Sequence, residues 1–162
     1  MTENTNFDPD KLIISPLDEL DPLELRVEIV NAQERFWGDR DLSGAHEPHW
    51  FRQFAAGGLV ARYQNEVVGY LLGAFPKEGP SYIHLVAARQ DYRHLGIGRR
   101  LYEAFIARAH ANGEHEVQAT AIAENANAIA FHSSLGFEGT RIEDYAGPGE
   151  DRVFFTLRLA NH

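Results

Sequence analysis

The spacing of apolar and polar positions changes several times along the chain, and each change marks an element. Lys11-Leu-Ile-Ile-Ser-Pro16 is a short apolar run closed by proline, which reads as a first strand. Asp21-Pro22 supplies an N-cap and a first-turn proline, and Leu23, Leu25, Val27, Ile29, Val30 and Phe36 follow at helical spacing. A polar loop, Trp37-Gly-Asp-Arg-Asp41, runs to Gly44 and a shorter helix with Trp50, Phe51 and Phe54, which Gly57-Gly58 breaks. The period then shortens to two. Leu59–Tyr63 and Val67–Phe75 read as a hairpin about Gln64-Asn65-Glu66, and Tyr82–Ala88 as a further strand after a turn between Pro76 and Pro80.

In the second half, Leu101, Phe105 and Ala109 share one face of a helix ending near Asn112-Gly113. Val117–Ile122 reads as a strand, and Asn125–Leu135 as a helix stopped by Gly136. Phe137–Tyr145 and Val153–Leu159 then form a last hairpin about Gly147-Pro-Gly149. One strand, two helices, three strands, helix, strand, helix and two strands make an α/β fold, a mixed sheet with helices on both faces. A single domain is expected over residues 11–162, behind a flexible leader at 1–10.

One run interrupts this pattern. Arg89-Gln-Asp-Tyr-Arg93-His-Leu-Gly96-Ile-Gly98-Arg-Arg100 lies between a strand and a helix and holds four arginines in an acidic chain. Glycines without Cβ atoms let backbone amides approach a phosphate, and the helix start adds the positive end of its dipole. Arg93, Arg99 and Arg100 can add charge from the rim. A Walker loop needs Gly-Lys-Ser/Thr, but Gly98 is followed by Arg99-Arg100. A dinucleotide fingerprint needs a third glycine or alanine where this chain has Leu101. Arg-x-x-Gly-x-Gly remains, formed by Arg93, Gly96 and Gly98.

This loop resembles the coenzyme A pyrophosphate loop of the GCN5-related N-acetyltransferases (GNAT superfamily). A second segment, Asn125-Ala-Asn-Ala128-Ile-Ala-Phe-His132-Ser-Ser-Leu-Gly136-Phe137, is similar to that family's Asn-x-x-Ala-x-x-(aromatic or Leu)-Tyr-x-x-x-Gly-Phe. The order of elements also agrees. The resemblance covers residues 58–140, and the first fifty by arrangement only.

The resemblance implies a GNAT-like acyl-CoA N-acyltransferase fold, with a mostly antiparallel sheet and one splayed strand pair. It implies acetyl-CoA as cofactor and direct attack by a primary amine of a small molecule or peptide in a ternary complex. The cofactor contacts would be Val86, Ala87 and Ala88 on the strand, and Arg93, His94, Leu95, Gly96, Ile97, Gly98 and Arg99 in the loop. Asn125, Phe131 and His132 would complete them, and a main-chain amide near Leu85 or Val86 would polarise the thioester carbonyl.

An attacking amine must lose a proton. His84 shares a strand face with Val86 and has a suitable ordinary pKa, near 6.5, so it is the candidate base; the other reading is a histidine bonded within that face. His132 stands where the family carries its tyrosine acid. It either donates to the thiolate or packs, leaving Tyr145, Tyr82 or water to protonate the sulfur. Asn125 is equally compatible with a helix N-cap. The resemblance puts the acceptor at Phe36, Trp37, Asp39, Asp41 and Trp50, with Tyr82, His84, Glu143, Asp144 and Tyr145. Aromatic walls with carboxylates would suit a cation, unless these are a solvated acidic loop and core tryptophans.

Composition narrows the partners. A charge of -9 over 162 residues argues against nucleic-acid or anionic-membrane binding, which need a basic surface. Zero cysteines exclude disulfides, thiolate metal sites and a cysteine nucleophile, and point to the cytoplasm. His46-Glu47-Pro48-His49 lacks the His-Glu-x-x-His spacing, so no metal is expected. No segment has the length of a membrane span or the layout of a signal peptide. A homodimer is an expectation from the resemblance alone. Two other functions fit the same motifs: a non-catalytic acyl-CoA-binding module, and a transferase for longer acyl chains or for oxygen acceptors.

Overall fold

The computed structural model describes residues 6–160. These form two compact units, each drawing on two stretches of chain: residues up to 74 with 85–105, and residues 75–84 with 106 onward.

In the first unit, strand β1 (Ile13–Pro16) pairs antiparallel with β2 (Leu59–Tyr63), and β2 with β3 (Glu66–Ala74). The β2–β3 turn is tighter than expected: Gln64 and Asn65 take φ values of 52° and 65°, and Glu66 already pairs with Tyr63. Left-handed values at both central residues match the twist of the flanking strands. Helix α1 (Pro22–Asn31) is capped by Asp21, whose Oδ1 accepts from the Leu23 amide at 2.9 Å. The long first helix expected through Phe36 breaks at Ala32, and α2 (Gln33–Trp37) continues in a new direction until Gly38, at φ 64°. That break lets Leu25 and Ile29 of α1 and Phe36 and Trp37 of α2 all enter one core, with Phe51 of α3 (Pro48–Gln53), Val60, Tyr70 and Leu72. On one straight helix Leu25, Ile29 and Phe36 would already share a face, and Trp37, about 120° round from Leu25, would not.

The expected leader at 1–10 needs correction at its end. Residues 1–5 lie outside the described residues, but Phe7 packs on Tyr63 with ring centroids 4.9 Å apart, and the Asp8 amide donates to the Tyr63 hydroxyl at 3.1 Å. An aromatic side chain before Pro9 found an aromatic surface, which composition alone does not disclose.

Strand β4 (Ser81–Ala88) begins in the second unit and ends in the first, as does helix α4 (Ile97–Ala111) in reverse. The second unit adds β5 (Glu116–Ile122), α5 (Ala126–Ser134), β6 (Glu138–Ile142) and β7 (Arg152–Arg158). β5 and β7 pair antiparallel over their full length, and β6 pairs with β7 outside them. The final hairpin is shorter than expected: β6 stops at Ile142, so Asp144 and Tyr145 lie in a loop. Asp144 takes φ 54°, donates its amide to Asp151 Oδ1 at 2.9 Å and accepts from the Gly149 amide at 2.7 Å, closing that loop on itself.

β4 and β5 run parallel and are paired only at Ser81–Val117 and Tyr82–Gln118. No further register pair joins them, which is the splayed pair the resemblance implied. The hydrogen-bonded order β1-β2-β3-β4-β5-β7-β6 makes a seven-stranded, mostly antiparallel sheet in a mixed α/β fold. Among the described residues no helix is long and apolar enough to cross a membrane.

Candidate active site

The glycine loop ends at the start of α4. His94 at φ 64° and Gly96 at φ 79° are left-handed, so the chain coils tightly before the helix. The first helical bond runs from the Arg100 amide to the Gly96 carbonyl at 3.0 Å. The amides of Ile97, Gly98 and Arg99 precede it and have no partner within the helix. A Cβ added to Gly96 or Gly98 would meet nothing within 4 Å. Packing inside the chain therefore does not demand glycine at 98, whose φ is ordinary. The helix start there is open, and the first turn carries no acidic side chain, an arrangement that suits an anion.

The four arginines divide by role. Arg89 is 5% exposed and holds the loop: its guanidinium grips Asp91 at 2.6 and 3.0 Å and Glu66 at 2.9 Å. Arg99 pairs with Glu103 along the helix at 3.1 Å, and Arg100 donates to the Pro9 carbonyl at 2.6 Å. Arg93 lines a cavity that the other three do not line.

That cavity, about 290 Å³, lies within the first unit between the α2–α3 connection and the end of β4. Phe36, Trp37, Leu42 and His46 form one side, Leu85, Val86, Ala87 and Ala88 the other, with Arg40 and Arg93 adding charge. Phe36 and Trp37, expected at the acceptor, thus line the same cavity as the end of the expected cofactor strand. Asp39 and Asp41 do not line the cavity. Asp41 caps its own turn instead, accepting from the Ser43 amide at 2.9 Å and hydroxyl at 2.6 Å, which holds its carboxyl below the usual range. No carboxylate lines this cavity, and its charged side chains are both arginines. Trp50 lies elsewhere, stacked between His49 and Phe54 at centroid distances of 5.3 and 5.6 Å.

Behind the aromatic wall runs a buried polar chain that sequence reasoning missed. The Trp37 indole donates to the Tyr70 hydroxyl at 3.3 Å, Tyr70 lies 2.6 Å from His46 Nε2, and His46 Nδ1 lies 2.7 Å from the Leu42 carbonyl. A carbonyl only accepts, so Nδ1 carries the proton and Nε2 accepts from Tyr70. Burial lowers the His46 pKa below its ordinary 6.5, the Leu42 bond opposes this in smaller part, and Arg26 lowers it further. Burial pushes the Tyr70 hydroxyl well up. His46 and Tyr70 are 24 residues apart, and no local pattern joins them.

The second unit holds the other candidates. His84 Nδ1 is 3.2 Å from the Tyr82 hydroxyl. Burial, and next the neighbouring Tyr145, raise that hydroxyl above its ordinary 10. The structure thus brings Tyr82, His84 and Tyr145 together, with Tyr145 half exposed and packed beside Phe154. Asp144 is spent on its loop. Glu143 is likewise exposed there.

His132 is 5% exposed and stacks on Phe155, ring centroids 4.1 Å apart and planes 4° from parallel, with Phe131 and Phe137 edge-on. Its Nδ1 is bonded to the Ala128 carbonyl at 2.7 Å, and burial lowers its pKa. At neutral pH this ring is uncharged with its proton on Nδ1, a geometry that favours packing over acid catalysis. Asn125 caps α5, accepting from the Ala128 amide at 3.1 Å.

The acetyltransferase (GNAT) family matches residues 26–137, more than two thirds of the chain. An L-methionine sulfoximine/L-methionine sulfone acetyltransferase of Pseudomonas paraeruginosa is 33% identical over 110 residues. That stretch is 63% of this chain and 64% of that enzyme, so the chain spans just under two thirds of its relative's length. The ribosomal-protein-alanine N-acetyltransferase of Brucella melitensis superposes with a TM-score of 0.66 at 27% identity, over 91% of this chain and 99% of that one. Ard1 from Thermoplasma volcanium shares the fold at 18% identity, with a TM-score of 0.74 over 93% and 99% of the two chains. The matched stretch takes in the α2–α3 connection, the splayed β4, the glycine loop and the α5 segment, and the chain belongs to the acetyltransferase (GNAT) family.

Proposed function

We propose that the protein is an acetyl-CoA-dependent N-acetyltransferase that acetylates a primary amine of a small molecule or peptide by direct attack. The observation that carries this reading is the start of α4, with open space at Gly96 and Gly98, first-turn amides that have no carbonyl to meet within the helix, and Arg93 at the rim. Those features fit a pyrophosphate, and the second unit holds a histidine and two tyrosines able to move protons.

Acetyl-CoA, when bound, supplies an acetyl group activated as a thioester. The amides of Ile97, Gly98 and Arg99 would take the pyrophosphate oxygens, and the main chain of Val86, Ala87 and Ala88 the pantetheine amides. His84 removes one proton from the acceptor's ammonium, directly or through a water. The freed nitrogen bonds to the carbonyl carbon as the carbon–sulfur bond breaks. An amide near Leu85 or Val86 takes up charge on the carbonyl oxygen. Tyr145 or Tyr82, or a water, delivers a proton to sulfur, balanced by the second proton leaving nitrogen. His132 packs α5 onto β7 through its stack on Phe155.

Thiol release measured across polyamines, arylalkylamines, amino acids and peptide N-termini tests the reaction, and the melting temperature with acetyl-CoA tests the donor. A shift with amine-dependent thiol release is expected. A shift without release for any amine would make the chain an acyl-CoA-binding module, and no shift with no release would end the proposal.

A further inference from the structure

We propose that Arg40 selects acceptors bearing a carboxylate beside the amine, that is, α-amino acids or close analogues; this rests on the acetyltransferase reading above. The sequence alone points the other way, to an acidic protein recruiting a cation. The cavity reverses that expectation locally, because its charged side chains are Arg40 and Arg93 and no carboxylate lines it. Neither arginine has an ion-pair partner among the described residues, unlike Arg89, Arg99 and Arg141.

The two cations meet different charges. Arg93 belongs to the glycine loop, where the donor's pyrophosphate would lie. Arg40 belongs to the connection after α2 that faces Leu85–Ala88 across the cavity. Along that strand the donor is pantetheine and thioester, which carry no charge, so a cation there has no donor anion to balance. A carboxylate on the acceptor supplies one, in the two-pronged geometry that guanidinium favours. Phe36, Trp37 and Leu42 would take an apolar side chain, and a volume of about 290 Å³ suits an amino acid better than a folded substrate.

The arginine also acts on the reacting nitrogen. A nearby positive charge disfavours the ammonium form, so it lowers the acceptor's pKa. Polyamines, with several positive charges and no anion, are disfavoured by the same field.

The experiment compares L-leucine, L-methionine and L-phenylalanine with their carboxamides, by thiol release and by calorimetric binding in the presence of CoA. The carboxamide amines are the weaker bases and start with more free amine, so a preference for the acids cannot arise from basicity. Each acid is expected to be used at least about tenfold better than its amide. Arg40→Gln should raise the KM of the acids about 10- to 100-fold, leaving those of the amides and of acetyl-CoA within about twofold. Equal use of acids and amides overturns the proposal, as does an Arg40→Gln effect falling on acetyl-CoA instead. If acetyl-CoA binds but no amine releases thiol, the acetyltransferase reading fails by itself. Binding then decides: acid-selective binding lost in Arg40→Gln sustains the carboxylate site, and unselective or undetectable binding overturns it.

Discussion

The start of α4 and the middle of α5 each carry one of the chain's two family-like segments, and they work by different means. At α4 the groups proposed to bind are backbone amides, beside open space at Gly96 and Gly98. At α5 the position usually held by a reactive side chain is His132, sealed under Phe131, Phe137 and Phe155. Main-chain donors depend on conformation, which glycines and a helix start determine locally. A side chain's chemistry depends on what packs around it, which distant strands decide. The first kind of site survives as a motif, and the second can lose its chemistry while the fold around it persists.

The largest effect should come from His84, because the proposed reaction has no other base placed on β4. His84→Ala is expected to lower kcat about 10²- to 10⁴-fold and to remove the acidic limb of the pH–rate profile, with acetyl-CoA affinity unchanged. Stopped-flow thiol release over pH 5.5–9 reads both, the range being about that of histidine titration. A drop below threefold would leave proton removal to water and narrow the contrast between the two regions.

Next comes the cradle. Gly98→Glu puts bulk and negative charge where the first-turn amides point, yet a Cβ there meets nothing within 4 Å. Acetyl-CoA affinity should fall about 100-fold or more, with the melting temperature of the ligand-free protein within about 2 °C. Gly69 is the control, since its added Cβ would sit 2.7 Å from Ile97 Cγ2 and 3.1 Å from the Ala87 carbonyl. Gly69→Ala should cost about 1–3 kcal/mol of stability. If both substitutions destabilise and neither changes affinity, the loop is a packing turn.

These contrasts match what the sequence made legible. Caps and stops follow from neighbours in the chain, so Asp21 at α1, Asn125 at α5 and the Gly136 stop could all be read directly. At that last stop the Phe137 amide closes on the His132 carbonyl at 3.1 Å. The loop from Arg93 to Gly98 was legible for the same reason. Just before it, Arg89 is a buried strut tied to Glu66 on β3, a role that no neighbour in the chain discloses. The acceptor wall expected from the resemblance included Asp39 and Asp41, and it is Arg40 between them that lines the cavity. All three side chains of the Asp-Arg-Asp loop are exposed, and the alternation does not disclose which of them borders the cavity. His46 and Tyr70 meet only in three dimensions.

The buried chain behind the wall gives the third effect. His46→Phe leaves the Tyr70 hydroxyl without its acceptor and should cost about 1–3 kcal/mol in urea unfolding. If the chain also holds Trp37 in place, the acceptor KM rises several-fold while that of acetyl-CoA does not. An unchanged stability would mean that the Tyr70 hydroxyl finds another partner.

A smaller effect of opposite sign is expected at the start of β4. Ser81 is fully buried and its Oγ has no hydrogen-bond partner. Ser81→Ala removes a desolvated hydroxyl and should stabilise the protein by up to about 1 kcal/mol. Destabilisation would show that the hydroxyl is satisfied in solution.

His132→Phe should change turnover least and test the comparison most directly. The substituted ring can keep the stack on Phe155, and kcat should stay within about threefold if His132 packs rather than donates. A loss of about 10²-fold without loss of acetyl-CoA binding would make His132 the acid, and the sealed ring cluster would be a reactive site after all. Stability gives an independent reading. Burial holds the His132 pKa below its ordinary 6.5, so below pH 6.5 the unfolded chain binds a proton that the folded ring refuses. The unfolded state gains from each such proton, so stability is complete above pH 6.5 and falls as pH drops through the window down to the depressed folded value. His46 adds a loss of the same sign. In His132→Phe the drop in unfolding free energy between pH 7 and pH 5 should be smaller than in the unsubstituted protein, and what remains should shrink again when His46 is also replaced.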